Sequence, residues 1–127
     1  MNTWMVRAGE DAYFIEGLLN QKVGAIGWNQ VGNLNDLGDI NGIKARVRKL
    51  YPNYKDGKVN ISAAHLYKFR DEFQKGDNVI TYDPRNRVYW LGEIASGYVY
   101  DPTIEQAMPN VRRVIWKKSI ERDSLSP

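Results

Sequence analysis

The order of helix-like and strand-like segments is the feature that most constrains the fold of this chain. A short strand, TWMVR (3–7), is followed by a predicted helix at 11–21 and a second strand, VGAIGW (23–28). Apolar residues then recur with helical spacing over 40–50 and again over 60–77. Strand-like segments make up the rest: NVITYD (78–83), RVYWLGEI (87–94), GYVYD (97–101) and NVRRVIWKK (110–118). This order predicts an α+β fold with about three helices.

The last strand-like segment alternates in character with a period of two residues. Arg112, Val114 and Trp116 fall on one side of the strand. Arg113, Ile115 and Lys117 fall on the other. A strand of this kind has one face toward the core and one toward solvent.

Length and composition indicate one ordinary folded domain. The chain has 127 residues, 43% of them hydrophobic and 26% charged, which is enough for a single core. We expect the domain to span 1–118, with 119–127 as a tail or linker. No apolar run approaches the length of a membrane span, and the N-terminus lacks the apolar core of a signal peptide. We therefore expect a soluble, cytoplasmic protein.

Few residues suited to catalysis are present. The chain has no cysteine and one histidine, His65, which excludes thiolate chemistry and a His-rich metal site. The nearest match to a metal-dependent nuclease element is Asp56-Gly57-Lys58, which falls in a predicted turn with no strand before it. Walker and GxGxxG motifs are missing. The sequence favours binding over catalysis, and we expect no cofactor and no metal.

Positive charge is concentrated in two places. One group of cations lies at residues 44–55 and comprises Lys44, Arg46, Arg48, Lys49 and Lys55. A second group near the end comprises Arg112, Arg113, Lys117 and Lys118. Clusters of this kind suit a polyanion such as nucleic acid. Solvated helix and strand faces are the alternative explanation.

The stretch GAIGWNQVGNLNDLGD (24–39) contains an indole that a loop does not need. Gly, Asn and Asp already give a turn its conformational freedom. Trp28 therefore either folds back into the core or is available to a ligand.

Four segments together resemble a known family. They are WMVRAGE (4–10), VGAIGWNQVGNL (23–34), LYKFRDEFQKGDNVITYDP (66–84) and YWLGEIASGYVYDP (89–102). The set resembles the N-terminal domain of Mrr-type and related modification-dependent restriction endonucleases. That domain is similar in turn to the EVE, YTH and PUA group of small β-barrels. The resemblance implies a PUA-like barrel that serves as a sensor ahead of a cleavage domain. Since the sequence ends at Pro127 without one, we expect a fragment or a stand-alone reader.

The resemblance also implies a base-binding pocket. Readers of this group hold a flipped base between aromatic faces. Trp28 is the predicted platform, and Asn29 and Gln30 would test the base edge. Trp4, Tyr82 and Trp90 are candidates for the other walls, although Trp90 shares an apolar face with Val88 and Ile94 and also suits the core. Predicted phosphate contacts are Lys44, Arg48, Lys49, Arg112 and Arg113.

Three classes of function stay open at this point. The leading hypothesis is a non-enzymatic reader of a modified base in duplex DNA within a restriction system. The second is an RNA-binding PUA-like module that takes an unstacked base. The third is a domain that binds a protein or a small ligand in the same pocket.

Overall fold

The computed structural model describes residues 1–9 and 12–125, which form a sheet and three helices. The strands are β1 (Thr3–Met5), β2 (Val23–Ile26), β3 (Asn78–Asp83), β4 (Val88–Tyr100) and β5 (Asn110–Glu121). The helices are α1 (Ile15–Gln21), α2 (Ile40–Leu50) and α3 (Asp56–Tyr67), and α3 continues into a π-helical segment, Lys68–Glu72. No helix within these residues is both long enough and apolar enough to cross a membrane.

The five strands form one sheet in the order β1-β3-β4-β5-β2. β1 pairs with β3 in parallel, and the other neighbours are antiparallel. The α+β class with three helices is therefore confirmed. The sheet is open in the part of the chain that the structure describes, with β1 and β2 at its edges, so the hydrogen bonding does not close it into the expected barrel.

Apolar side chains on the inner face of the sheet pack beneath the helices. On β5, Val114 is buried whereas Ile115 is 53% exposed, which confirms the alternation predicted for this strand. The helices α2 and α3 enclose a separate group of buried residues, which we call the helical cluster: Val31, Leu34, Leu37, Ile43, Val47, Val59, Ala63 and Leu66. A second group, the α1 cluster, consists of Ala8, Ala12, Phe14, Ile15, Leu18, Val23, Ala25, Met108 and Val111.

The sequence defines the limits of α2 locally. Asp39 caps the helix by accepting hydrogen bonds from the backbone N–H groups of Asn41 and Gly42, as N-cap aspartates commonly do. A Cβ atom on Gly42 would lie 1.8 Å from the carbonyl oxygen of Leu37, so glycine permits the close approach of the preceding turn. The helix ends at Leu50, before the Tyr51-Pro52 pair.

Two predicted boundaries are wrong. Ser119 and Ile120 pair with Trp90 and Tyr89 inside β5, so the predicted tail begins within a strand. Asp56-Gly57-Lys58 forms the first turn of α3 rather than a loop. Ser126 and Pro127, at the end of the predicted tail, and Asp11, at the start of the first predicted helix, lie outside the described residues.

Candidate nucleic-acid interface

The loop between β2 and α2 is held at several points. It contains two 3₁₀ turns, Asn29–Val31 and Leu34–Leu37. Arg46 of α2 donates a hydrogen bond to the carbonyl of Val31 (3.3 Å), and Arg70 donates to that of Leu34 (2.7 Å). The N–H of Leu34 in turn donates to the Tyr98 hydroxyl (2.9 Å). Anchors from α2, the π-helical segment and β4 therefore fix the loop before any ligand binds.

Trp28 opens this loop in a left-handed backbone conformation, with φ 57° and ψ 47°. That conformation costs a residue other than glycine about 1 to 2 kcal/mol. Its indole is half-buried and packs against the edge of the helical cluster. The ring is therefore supported by the helical cluster and is still partly accessible to solvent. Strain of this kind in a clamped loop is a common feature of binding sites.

His65 is the aromatic neighbour of Trp28. The two ring centroids lie 6.1 Å apart, and the ring planes differ by 16°. His65 is exposed on α3, and Asn29 and Gln30 are exposed beside Trp28. The position of His65 beside Trp28 could not be predicted from the sequence, because no local pattern shows which loop lies over a given helix face.

A second aromatic pair lies in the connection between α2 and α3. The rings of Tyr51 and Tyr54 stack with centroids 4.9 Å apart, and the Lys58 ammonium lies 4.3 Å above the Tyr54 ring. Burial raises the pKa of the Tyr51 hydroxyl, as does the neighbouring Tyr54, while a hydrogen bond from the backbone of Gln30 lowers that pKa. This last contact joins the tyrosine pair to the loop that begins at Trp28. Neither tyrosine was predicted from the sequence as a site residue.

Trp4 belongs to a different site. Its ring stacks on Phe73 at 4.4 Å, and its indole N–H donates to Oδ2 of Asp77 (2.8 Å). Asp77 is buried and also accepts hydrogen bonds from the backbone N–H groups of Asn2 (3.2 Å) and Gln74 (3.0 Å). Trp4 therefore attaches β1 to the turn before β3, and this position does not fit the base-pocket wall assigned to it.

Asp77 should make the stability of the fold depend on pH in acid. Burial alone would raise the pKa of its carboxyl, but the three hydrogen bonds and the nearby N-terminal charge hold that pKa below its usual value. Its stabilising contribution is therefore present above the unfolded pKa of about 4 and is lost as the pH falls through the lower folded pKa. We expect Asp77→Asn to be less stable than the parent at neutral pH and to lose less stability below about pH 4.

Urea unfolding at a series of pH values measures this difference. Asp36→Asn, which changes an exposed carboxyl, is the control and should follow the parent at every pH. Parallel curves for Asp77→Asn and the parent would show that the Asp77 carboxyl does not carry the acid dependence.

Tyr82 and Trp90 also lie apart from Trp28. Tyr82 packs against Tyr89 across the β3–β4 pair, with ring centroids 4.7 Å apart and ring planes tilted by 40°. Trp90 packs against the α1 cluster, which agrees with the core alternative for this residue. The structure therefore does not assemble the four-aromatic pocket expected from the sequence, because these side chains project from parts of the sheet that do not meet the loop.

The cations of α2 divide between its two sides. Residues two apart on a helix do not face each other, so Lys44 and Arg48 lie away from Arg46, which contacts the loop. Arg48 forms an ion pair with Asp56 at 3.7 Å. Lys49 is exposed three residues after Arg46, on the side of α2 that carries the loop. Of the three phosphate contacts predicted on this helix, Lys49 is therefore the one on the side of α2 that carries the loop.

Arg112 is a structural residue, contrary to the phosphate contact predicted for it. Its side chain is 4% exposed. The guanidinium donates to the carbonyls of Phe69 (2.7 Å), Arg70 (2.7 Å) and Ser96 (3.2 Å). Burial lowers the pKa of this guanidinium. The neighbouring Arg113 is exposed, as the alternation of β5 requires.

Two grooves lie along the sheet, and Trp28 lines neither of them. One has a volume of about 380 Å³ and lies beside Thr3, Asn78 and Lys118. The second, about 220 Å³, is lined by apolar side chains such as Met5, Tyr89 and Ile120. Among the described residues, no three His, Asp or Glu side chains form a group that could hold a metal ion.

The comparisons with known proteins give a family without a described activity. The chain belongs to the family described as "Domain of unknown function (DUF8426)", which matches residues 4–126. Neither the curated proteins nor the solved structures contain a significant match. The family match covers the sheet, the three helices and the loop that begins at Trp28.

Proposed function

We propose that this member of the DUF8426 family is a nucleic-acid-binding domain that holds one base against Trp28. The observation that carries the proposal is the position of that indole. It lies at the start of a loop that three elements clamp, in a strained backbone conformation, half-buried against the helical cluster and nearly parallel to the ring of His65. Such a surface is ready to stack on a base without ordering the loop.

Exposed cations around the loop support a polyanionic ligand. Lys49 lies on the loop side of α2, and Lys58 lies beside the tyrosine pair. These two side chains replace Arg112 in the proposed set of phosphate contacts. Arg48 and Arg113 are exposed as well and Lys44 is half-buried, and the three extend the positive surface beyond the pocket.

The choice of a modified base in DNA, within a restriction system, rests on the resemblance of four sequence segments to Mrr-type N-terminal domains. The same resemblance supports a relation to PUA-like barrels. Asn29 and Gln30 each have an amide that can donate and accept hydrogen bonds, and both are exposed beside Trp28. They are therefore the proposed readers of the base edge.

A binding screen tests the proposed function. Fluorescence anisotropy would compare the intact chain on unmodified DNA, on DNA with modified cytosines or adenines, and on matched RNA. We expect preferential binding to one modified DNA probe, weakened by Asn29→Ala and Gln30→Ala. A preference for RNA would support the PUA-like alternative. No binding to any probe at low salt would reject the proposal.

Salt dependence should separate the two sides of α2. Each phosphate contact contributes about one unit to the slope of log K against log salt. We expect Lys49→Ala with Lys58→Ala to reduce the slope by about two units. The matched control is Lys44→Ala with Arg48→Ala, which removes the same charge from the opposite side and should change the slope less. A larger effect in the control would place the ligand on that opposite side and away from Trp28.

A further inference from the structure

The face of the sheet that points away from the helices carries a row of apolar side chains. Strand pairing aligns Met5, Ile80 and Leu91 across β1, β3 and β4, and side chains at paired positions point to the same face. The neighbours of Ile80 in β3, Val79 and Thr81, are buried on the opposite face. None of the buried clusters in the described residues includes Met5, Ile80 or Leu91. We call this surface the outer face.

The two grooves along the sheet join into one recess on the outer face. Their volumes are about 380 Å³ and 220 Å³, and both grooves are lined by Ile80 and Leu91. The smaller groove is lined by apolar and aromatic side chains, namely Met5, Ile80, Tyr89, Leu91, Ile120 and Leu125. Met5 is 66% exposed and Leu125 is 51% exposed, so a ligand can reach this lining from solvent.

The larger groove carries positive charge, contributed by Lys117 and Lys118. The ammonium of Lys117 is bonded to the carboxylate of Glu93 at 3.2 Å. Lys118 is exposed and forms no ion pair with another described residue. Asn78 and Thr3 line the same groove, and their side chains can donate hydrogen bonds. The recess therefore has an apolar part and a part with an unpaired cation.

This distribution of groups constrains the ligand. A nucleobase in the apolar groove would lose its hydrogen bonds to water and gain few from the lining. A second copy of the chain would present the same bonded Glu93 and the same unpaired Lys118 from its own outer face. An apolar chain with an anionic end matches both parts, because the chain gains free energy by leaving water and the anion can pair with the ammonium.

We infer that the outer face binds a linear aliphatic carboxylate, with its chain over Ile80 and Leu91 and its carboxylate at Lys118. The ligand is a free chain, since the larger groove has the volume of a small-molecule site, roughly 300 to 1,000 Å³. Trp28 lines neither groove. The inference therefore goes beyond the proposed function and does not depend on it.

Methionine methyl groups report this binding directly. Met5 lines the recess, whereas Met108 is 2% exposed within the α1 cluster. The intact chain, isotopically labelled at its methionine methyl groups, would be titrated with sodium decanoate below its micelle concentration. We expect the Met5 signal to shift and the Met108 signal to stay in place. In a series from octanoate to dodecanoate, each added methylene should tighten binding roughly two- to fourfold.

Lys118 variants test the position of the carboxylate. Lys118→Gln should weaken decanoate binding about two- to fivefold, the range expected for one exposed ion pair. Lys118→Arg keeps the charge and should bind as the parent does. Lys68→Gln removes an exposed charge outside both grooves and is the matched control. Decanol and decyltrimethylammonium lack the carboxylate, so both should bind more weakly than decanoate.

Several results would overturn the inference. No Met5 shift with any carboxylate, or equal shifts of Met5 and Met108, would reject the recess as the binding site. Equal binding of decanoate, decanol and decyltrimethylammonium, or an unchanged affinity of Lys118→Gln, would show that Lys118 does not select an anion. A Met5 shift that follows protein concentration without decanoate would assign the outer face to a second copy of the chain. Failure to bind oligonucleotides would reject the proposed function alone.

Discussion

Replacing Arg112 with alanine is expected to destabilise the domain by about 3 kcal/mol or more, because three carbonyls lose their donor and each buried polar group left unpaired costs about 1 to 3 kcal/mol. Those carbonyls belong to Phe69 and Arg70 in the π-helical segment and to Ser96 in β4. Removal of the side chain would release the end of α3 from the sheet. Such a loss is a large part of the stability of an ordinary domain, so the variant should unfold at a much lower denaturant concentration.

Arg113 is a matched control for this measurement, since the two arginines are adjacent on one strand. Its side chain is exposed, and Arg113→Ala should change the free energy of unfolding by no more than about 0.5 kcal/mol. Chemical denaturation of both variants, followed by circular dichroism, gives the comparison. Equal stability of the two variants would mean that the guanidinium of Arg112 is not a necessary support for the π-helical segment.

The second large effect is expected for Trp28, whose replacement should weaken binding more than it lowers stability. Trp28→Ala should weaken binding to the preferred oligonucleotide by about 1 to 3 kcal/mol, the usual contribution of one stacked base. The indole is only half-buried. Its truncation should therefore lower the free energy of unfolding by less than the roughly 3 to 5 kcal/mol typical of a core aromatic. The measurement requires thermal melting and oligonucleotide binding on the same preparation.

A Trp28→Gly variant separates the effect of the indole from the effect of the strained backbone. Trp28→Gly also removes the indole, but glycine adopts a positive φ without strain, so it should be about 1 kcal/mol more stable than Trp28→Ala. Binding should be equally weak in both variants. If both variants fold and still bind as tightly as the parent, Trp28 is not the base platform.

The burial of Arg112 could be predicted from the sequence. The period-two alternation of β5 places it on the same side as Val114 and Trp116, and that side faces the core. The charge of the side chain suggested a phosphate contact because a cluster of cations is a surface feature in most proteins. Two of the three carbonyls that make burial possible, those of Phe69 and Arg70, lie more than 40 residues away in the π-helical segment, and no local pattern connects them to β5.

The candidate site was only partly predictable for the same reason. The stretch around Trp28 is unusual by composition alone, because a loop gains nothing from an indole. His65 and Tyr54, in contrast, become relevant only when the loop lies across α3, and that arrangement depends on tertiary packing. The start of α3 was missed because Asp56-Gly57 follows a Tyr-Pro-Asn stretch that is typical of turns.

The pairing of β1 with β3 has a consequence for the order in which the chain folds. Thr3 and Asn78 are neighbours in the sheet although the helices and the long loop lie between them in sequence. The β3–β4 hairpin is closed by a short turn and can form early, since local contacts cost little loop entropy. The first strand can dock only after that hairpin exists. During synthesis the N-terminal segment therefore stays unpaired until β3 has left the ribosome. The edge of the sheet formed by β1 is completed only after that point.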